Sequence, residues 1–495
     1  MTGCRKECRL SRMNRGLVAI LCALSASFVQ AKNVRNVPLG GRTALMGNAG
    51  IAEGHDSAMI YLNPAGTAGT PHDVFSLSSN LYAYDWSQIP DLLHANGFSA
   101  ERYGDVTVTS ERNRVSQLRL VPSTLTYYKR LKGSDREMVH VFGMGLLTTS
   151  SSNVAREGTL SAASPAYQLR AEQTERFAFS QLHLGFSYAM QPWSGFRVGV
   201  ALLGTYASLS WSGQSISVEA LENEAGQVFP ERVYQSNLWL DGYSLGVGAV
   251  AGLQVKVWQN LWLGASLASP NLSLMGGGTT KDIEVHPENG GEGMPGGTDL
   301  SAHHATIHAG IGQGELTHVE VNNPLRASTG LAYAVPGRFS VAVDVHYHAA
   351  RRQFITYEDD LSLTVFHTGE RRQRIQSKDT KKTDARSHVA FAVGAEYFVS
   401  PTLAVRTGFY TDPDIDVQRD DYIDWWTVSL GIGVISDGLE SNYGIGYRHG
   451  RGRISNTGVF EPAIDNAHLD YVAHGVMFMV SGALRTDRPA TRSKK

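Results

Sequence analysis

Residues 339–348 alternate without a break: Phe339, Val341, Val343, Val345 and Tyr347 against Ser340, Ala342, Asp344, His346 and His348. Successive side chains of a strand point to opposite faces, so one face here is wholly apolar and the other small or polar. The same period runs through Val428, Leu430, Ile432 and Val434 against Thr427, Ser429, Gly431 and Gly433. Val389, Phe391, Val393, Ala395 and Tyr397 repeat it, as does the stretch from Ser244 to Val257. Each run approaches or exceeds the ~9–11 residues that a tilted strand needs to cross a bilayer.

Period two would suit a soluble sandwich as well, so the connections decide. About fourteen strands are predicted, near 74–84, 117–130, 137–149, 175–190, 196–211, 235–257, 261–274, 324–335, 339–357, 387–398, 403–411, 425–435, 440–449 and 469–484. Short connections at 132–136, 192–195, 258–260, 336–338, 399–402 and 436–439 alternate with long polar ones at 85–116, 150–174, 212–234, 275–323, 358–386, 412–424 and 450–468. Tight turns on one rim and long loops on the other are what an outer-membrane barrel has. Closure removes the sheet edges that lipid cannot satisfy. Tyr347, Tyr397, Trp425, Trp426 and Tyr447 lie near strand ends, where aromatic girdles belong. The fold class is therefore all-β, a transmembrane antiparallel β-barrel of about 14 strands in the bacterial outer membrane.

Composition excludes the competing classes. With 18% charged residues and a formal net charge of −2, the chain has no nucleic-acid signature. A mean hydropathy of −0.19 and a single apolar segment rule out a polytopic helical transporter. That segment, Leu17 to Val29, follows Arg5, Lys6, Arg9, Arg12 and Arg15 and reads as a signal peptide over residues 1–31, with Met13 as an alternative start. Cys4, Cys8 and Cys22 all lie inside it, so the exported chain is expected to lack cysteine. Leu21 before Cys22 argues against a lipoprotein signal.

Residues 40–69 are rich in glycine and alanine and have no period two. Asn63-Pro64 is a local stop, because proline forces the preceding residue out of the helical region and asparagine caps nearby backbone. A flexible leader and a compact plug both fit this stretch.

The run Gly41-Arg42-Thr43-Ala44-Leu45-Met46-Gly47-Asn48-Ala49, then Asp56-Ser57-Ala58, then Asn63-Pro64-Ala65-Gly66, resembles the N-terminal hatch of outer-membrane long-chain fatty-acid transporters, the FadL-like family. Arg406-Thr407-Gly408-Phe409-Tyr410, Trp426 to Gly431 and Tyr447-Arg448-His449-Gly450 resemble its late strands. The resemblance implies an N-terminal plug within the lumen, over residues 32–72, inside a barrel over 73–485. It implies capture of long-chain fatty acids or similar hydrophobic molecules at extracellular loops. Release then follows sideways through a wall opening in the third strand, with no cofactor. The implied partners are the hydrophobic ligand, outer-membrane lipids and the barrel assembly machinery, for a monomer. The chain departs from the pattern in its basic tail, residues 486–495, where such barrels commonly end on an aromatic residue.

Candidate site residues follow. Asn63, Pro64, Ala65 and Gly66 would close the plug. Gly143 and Gly145 share one face of the third strand and are the candidate lateral opening, since strand glycines mark bends and leave the wall unfilled. Arg326, Arg406, Arg448, His346 and His348 face inward by parity. They are candidates for a ligand headgroup, arginine being suited to a carboxylate, or else they pair with plug and wall carboxylates. His303, His304, His308 and His318 lie in a glycine-rich stretch and are read as solvated, with no metal site assigned. No motif for catalysis stands in a suitable context. A surface barrel acting as adhesin or antigen through its loops is the alternative function, and a barrel enzyme the third.

Overall fold

The structure is a computed structural model, describing residues 37–89, 93–94, 107–110, 113–132, 138–164, 167–222, 228–288, 306–366, 372–415, 422–455, 457–458 and 468–486. The proposed signal segment, the basic tail, His303 and His304 lie outside these residues.

The strands, in chain order, begin with β1 (Val74–Ile89), β2 (Leu93–His94), β3 (Thr107–Ser110), β4 (Asn113–Lys132), β5 (Val139–Ser164), β6 (Tyr167–Trp193) and β7 (Phe196–Glu222). Next come β8 (Val228–Lys256), β9 (Leu261–Ala268), β10 (Leu272–Glu288), β11 (Thr306–Val321), β12 (Arg326–Val335), β13 (Phe339–His348) and β14 (Arg351–Phe366). The last are β15 (Arg372–Ala385), β16 (His388–Ser400), β17 (Leu403–Asp412), β18 (Tyr422–Ser436), β19 (Leu439–Ser455), β20 (Thr457–Gly458) and β21 (His468–Arg485). Antiparallel pairing runs β1, β4, β5, β6, β7, β8, β9, β12, β13, β16, β17, β18, β19, β21 and returns to β1. That is a closed barrel of 14 strands, as the alternation predicts; β3, β10, β11, β14 and β15 extend the same sheet, and β2 pairs with β20 in a separate parallel ladder.

The wall is inside out relative to a soluble protein. In β13, Phe339, Val341, Val343 and Tyr347 are exposed on the outer face, whereas Ser340, Ala342, Asp344, His346 and His348 are buried on the inner one. Only a lipid solvent rewards that arrangement. Aromatic pairs sit near the short-turn rim, Trp193 on Phe196 at 4.6 Å and Tyr333 near Phe339 at 5.8 Å. Others lie about ten residues up the strands, Tyr84 near Trp86 at 5.7 Å and Trp426 near Tyr447 at 5.9 Å. Ten tilted residues span roughly the 25 Å of an outer-membrane apolar band. Trp425 does not join this girdle. It has the opposite parity to Trp426 and packs under Arg448, whose Cζ lies 4.3 Å from its ring centroid.

The long connections are less irregular than the sequence suggests. Much of 150–174, 212–234, 275–323 and 358–386 is strand, with β10, β11, β14 and β15 continuing the wall outward from β9, β12, β13 and β16. The reason is visible on β6. Leu182, Leu184 and Phe186 face outward, but beyond them Ser180, Ala178 and Thr174 do, while Phe177 and Phe179 turn inward. Outside the bilayer the barrel is a soluble sheet with an apolar interior, so the lipid-facing pattern ends although the pairing continues.

The N-terminal segment 37–73 carries α1 (Arg42–Leu45), α2 (Met59–Leu62) and a 3₁₀ turn (Pro64–Gly69), nearly all of it buried. It touches inward faces around the ring. Gly47, at φ +64°, lies back to back with Gly408 of β17, where a Cβ would strike the Phe409 backbone. Gly252 of β8 makes room for the Asn63 side chain, and Gly185 of β6 for Ile60. Leu39, Leu45, Met46, Ile51, Met59, Ile60 and Leu62 are almost fully buried, each contributing about 1.5–3 kcal/mol of apolar burial.

Candidate functional site

Asn63 ties the segment together. Its Oδ1 accepts from the Ala65 N–H at 3.2 Å, capping the 3₁₀ turn that Pro64 opens. Its Nδ2 donates to the Ile51 carbonyl at 2.7 Å and to the Leu253 carbonyl of β8 at 3.1 Å. Gly66 lies so close to the Gly54 carbonyl and Met59 that a side chain would not fit. On the far wall, Asp344 accepts from the Gly50 and Ile51 N–H groups at 2.6 and 2.9 Å.

A buried ionic ladder holds the segment's other side. Arg42 donates to Glu53 at 2.6 Å and to Glu396 of β16 at 2.8 Å, and Glu396 also accepts from Arg406 at 2.6 Å. Arg406 reaches on to Glu440 at 2.9 Å and to Asn442. Burial works against both members of the first pair, yet the pairing prevails. Glu53 and Glu396 hold the Arg42 guanidinium well above its ordinary range, and Arg42 holds the Glu53 carboxyl below its own. Arg448 pairs with Asp85 of β1, Nη2 to Oδ1 at 2.6 Å. Arg406 and Arg448 are thus neutralised by wall carboxylates.

Arg326 differs. It is 3% exposed and stacks on Tyr61 of α2, Cζ to ring centroid 4.1 Å, while Nη2 donates to the Tyr61 carbonyl at 2.5 Å. Nε and Nη1 are buried without a hydrogen-bond partner among the described residues. The guanidinium lines a cavity of about 40 Å³ with His183, Thr205, Asn271, Asn323 and His348. His348 stands opposite Arg326 in the β12–β13 ladder and stacks on His388 at 4.5 Å. His346, one step inward, bonds Ser328 at 2.8 Å. The structure therefore brings Arg326 and His348 together and separates them from Arg406 and Arg448.

Sequence reasoning missed His183 and Tyr61. His183 Nε2 is 2.9 Å from Thr149 Oγ1 of β5, its Nδ1 is 3.0 Å from Thr205 Oγ1 of β7, and its ring lies 5.3 Å from Tyr61. The signal that could have found it is parity with Gln181, since both stand opposite Leu182 and Leu184. Beyond the cavity an apolar cluster fills the lumen, with Phe177, Phe179, Leu209, Trp211, Leu240, Leu316 and Phe354 in contact.

Gly143 and Gly145 face inward, Gly143 against Tyr128 and Ser187. There β5 is paired on both sides, with β4 over 139–147 and with β6. Pairing lapses just beyond. The β5–β6 register shifts between Thr148 and Ser150, and among the described residues β5 regains a partner on its other side only at 160–163, with β3. His318 bonds Glu320 at 2.9 Å, and no group of three or more potential metal ligands occurs among the described residues.

No protein-family model matches the chain. No curated protein matches it either. Solved structures do. A FadL homologue of Pseudomonas aeruginosa aligns with TM-score 0.55 at 14% identity, covering 92% of this chain and 99% of that one. The toluene transporter TodX of P. putida aligns with TM-score 0.54 at 15% identity over 91% and 99%. The monoaromatic hydrocarbon channel CymD gives 0.52 at 14% over 92% and 99%. At such identities the likeness is one of fold. The closed ring, the inverted faces and these matches make the chain a multi-pass outer-membrane β-barrel with the fold of the FadL-type transporters.

Proposed function

We propose that the protein is an uptake channel for long-chain fatty acids or similar hydrophobic small molecules, closed at rest by residues 37–73. The observation that carries this reading is the order of surfaces along the lumen. An apolar cluster from Phe177 to Phe354 leads to a cavity with the buried guanidinium of Arg326, whose Nε and Nη1 have no hydrogen-bond partner among the described residues. An aqueous porin has use for neither, whereas an amphiphile with an apolar tail and an anionic head matches both. At about 40 Å³ the cavity has room for a few waters and no lipid, so loading requires Tyr61 to move. The solved neighbours include a toluene transporter and a hydrocarbon channel, which supports a hydrophobic cargo. The chemistry is passage, with no bond made or broken.

The lapse in pairing along β5 after Thr148 supports lateral release there. On this reading the opening lies a few residues beyond Gly143 and Gly145, with Thr149 bonded to His183 at its edge. Native mass spectrometry of the purified barrel tests the cargo. Bound fatty acid in the unaltered protein, lost in Arg326→Gln, is the expected result. A barrel that never carries or binds a hydrophobic molecule refutes the reading.

A further inference from the structure

A second seam lies across β6 and β7 from the β5 lapse, where β9 gives way to β10. Strand β8 is paired with β9 up to Val250–Ala268 and with β10 from Val247–Leu272, leaving Gly248 and Ala249 against Ser269, Pro270 and Asn271. The join is held by the Ser269 N–H on the Ala249 carbonyl at 2.8 Å and the Ala249 N–H on Ser269 Oγ at 2.9 Å. Pro270 has no N–H to offer. On the other edge, β9 leaves β12 at Ala268–Arg326, and β10 meets β11 again only at Gly278–Leu316. Between those points Asn271 is pinned to the Asn323 and Val321 carbonyls at 3.2 and 3.1 Å, and Ser273 is tied to the same edge through Ser244, whose hydroxyl also accepts from the Val321 N–H at 3.3 Å. The stretch ends in Gly276-Gly277-Gly278, which pair with Ser244, Tyr243 and Gly242 of β8.

Both surfaces of the wall meet at this seam. The Arg326 cavity is lined by deeply buried His183 and Val250 and equally by Ala249 and Ser269, which are exposed on the outer face. At Gly248 a Cβ would meet only Ser269, Pro270 and Asn271 of the seam, at 3.7–3.9 Å. Outside, Leu272, Leu274 and Met275 splay away from the wall at 62, 67 and 58% exposure. The register shift between Ser273 and Met275 explains why both Leu274 and Met275 point outward. An apolar lip thus stands outside a thin wall with the cationic cavity behind it.

We propose that residues 269–278 form a lateral gate joining the Arg326 cavity to the outer leaflet, through which the apolar body of the ligand passes. The inference rests on the uptake reading above and adds a route distinct from β5. Swinging the segment breaks the two Ala249–Ser269 bonds, the Asn271 contacts, the Ser244–Ser273 hydroxyl bond and the β8–β10 pairing from Val247–Leu272 to Gly242–Gly278, and leaves the β8–β9 and β9–β12 ladders intact. The test is a cross-link across the seam, Ala249→Cys with Ser269→Cys, beside a control cross-link at the paired residues Val393→Cys with Phe409→Cys of β16 and β17. Folding is checked by heat-modifiable migration on gels.

Uptake of radiolabelled oleate by cells carrying the oxidised seam protein is expected to fall at least twofold, the β5 route remaining open, and to return on reduction, with the control unaffected. In parallel, oleate carrying a diazirine at its methyl end is photolysed in the unaltered barrel. Label on the peptide containing Leu272 to Met275 is expected. Unchanged uptake in the cross-linked protein, or label confined to β5 148–159, overturns the gate while uptake itself stands. A barrel that neither takes up nor is labelled by oleate overturns both readings.

Discussion

Arg42→Met isolates what the ionic ladder does for closure. Methionine preserves much of the volume but leaves Glu53 buried with the Ser340 hydroxyl, 2.8 Å away, in place of a guanidinium. Glu396 keeps Arg406, so the loss falls mainly on Glu53. Removing one partner of a buried pair costs about 3–5 kcal/mol. At about 1.4 kcal/mol per factor of ten, the displaced state of the segment gains about two to three and a half orders of magnitude in population. Planar-bilayer recording reads this as a rise in the fraction of time spent in large-conductance openings.

The pH dependence supplies a sharper check. In the unaltered protein the Glu53 carboxyl lies below its ordinary range, so its contribution is complete above about pH 4.5 and lost as pH falls through the depressed value. Acid therefore increases openings. In Arg42→Met, burial without the cation pushes the same carboxyl up, and protonation relieves the cost, so acid decreases openings. Conductance indistinguishable from the unaltered barrel, or pH responses of the same sign in both proteins, refutes the reasoning.

Three further outcomes are expected. Deleting residues 37–69 raises ion conductance while the barrel still migrates as a folded species on unboiled gels; unchanged conductance contradicts a blocking role. Gly408→Leu, which thrusts a side chain into Gly47, also raises conductance, whereas Gly204→Ala, at a wall position with space around it, does not. Val343→Arg, on the lipid face, destabilises folding into liposomes by about 2–4 kcal/mol in urea titrations, whereas Ser340→Ala on the inner face has a much smaller effect.

What was legible in the sequence was contact with lipid. In β13 and β18 every second residue meets the bilayer, and strand, count and topology follow from that. Where the wall leaves the membrane, as from Leu182 to Ser180 on β6, the apolar face changes sides and strands such as β10 and β15 read as loops. Trp425 was misplaced although its parity with Thr427 and Ser429 points into the lumen. The arginines were found by parity, but their partners were not. Asp85 and Arg448 stand 363 residues apart and meet only when the ring closes through β1 and β21. That Arg326 alone of the three lacks a carboxylate partner among the described residues is likewise invisible before the fold is known.

The central claim is that an amphiphile crosses this barrel by way of Arg326. Saturable uptake of radiolabelled oleate and of naphthalene, compared between cells with and without the protein, tests it most directly. The account predicts uptake of oleate that depends on the protein and falls about tenfold or more in Arg326→Gln, with the uncharged naphthalene much less affected. Equal oleate uptake with and without the protein would contradict it.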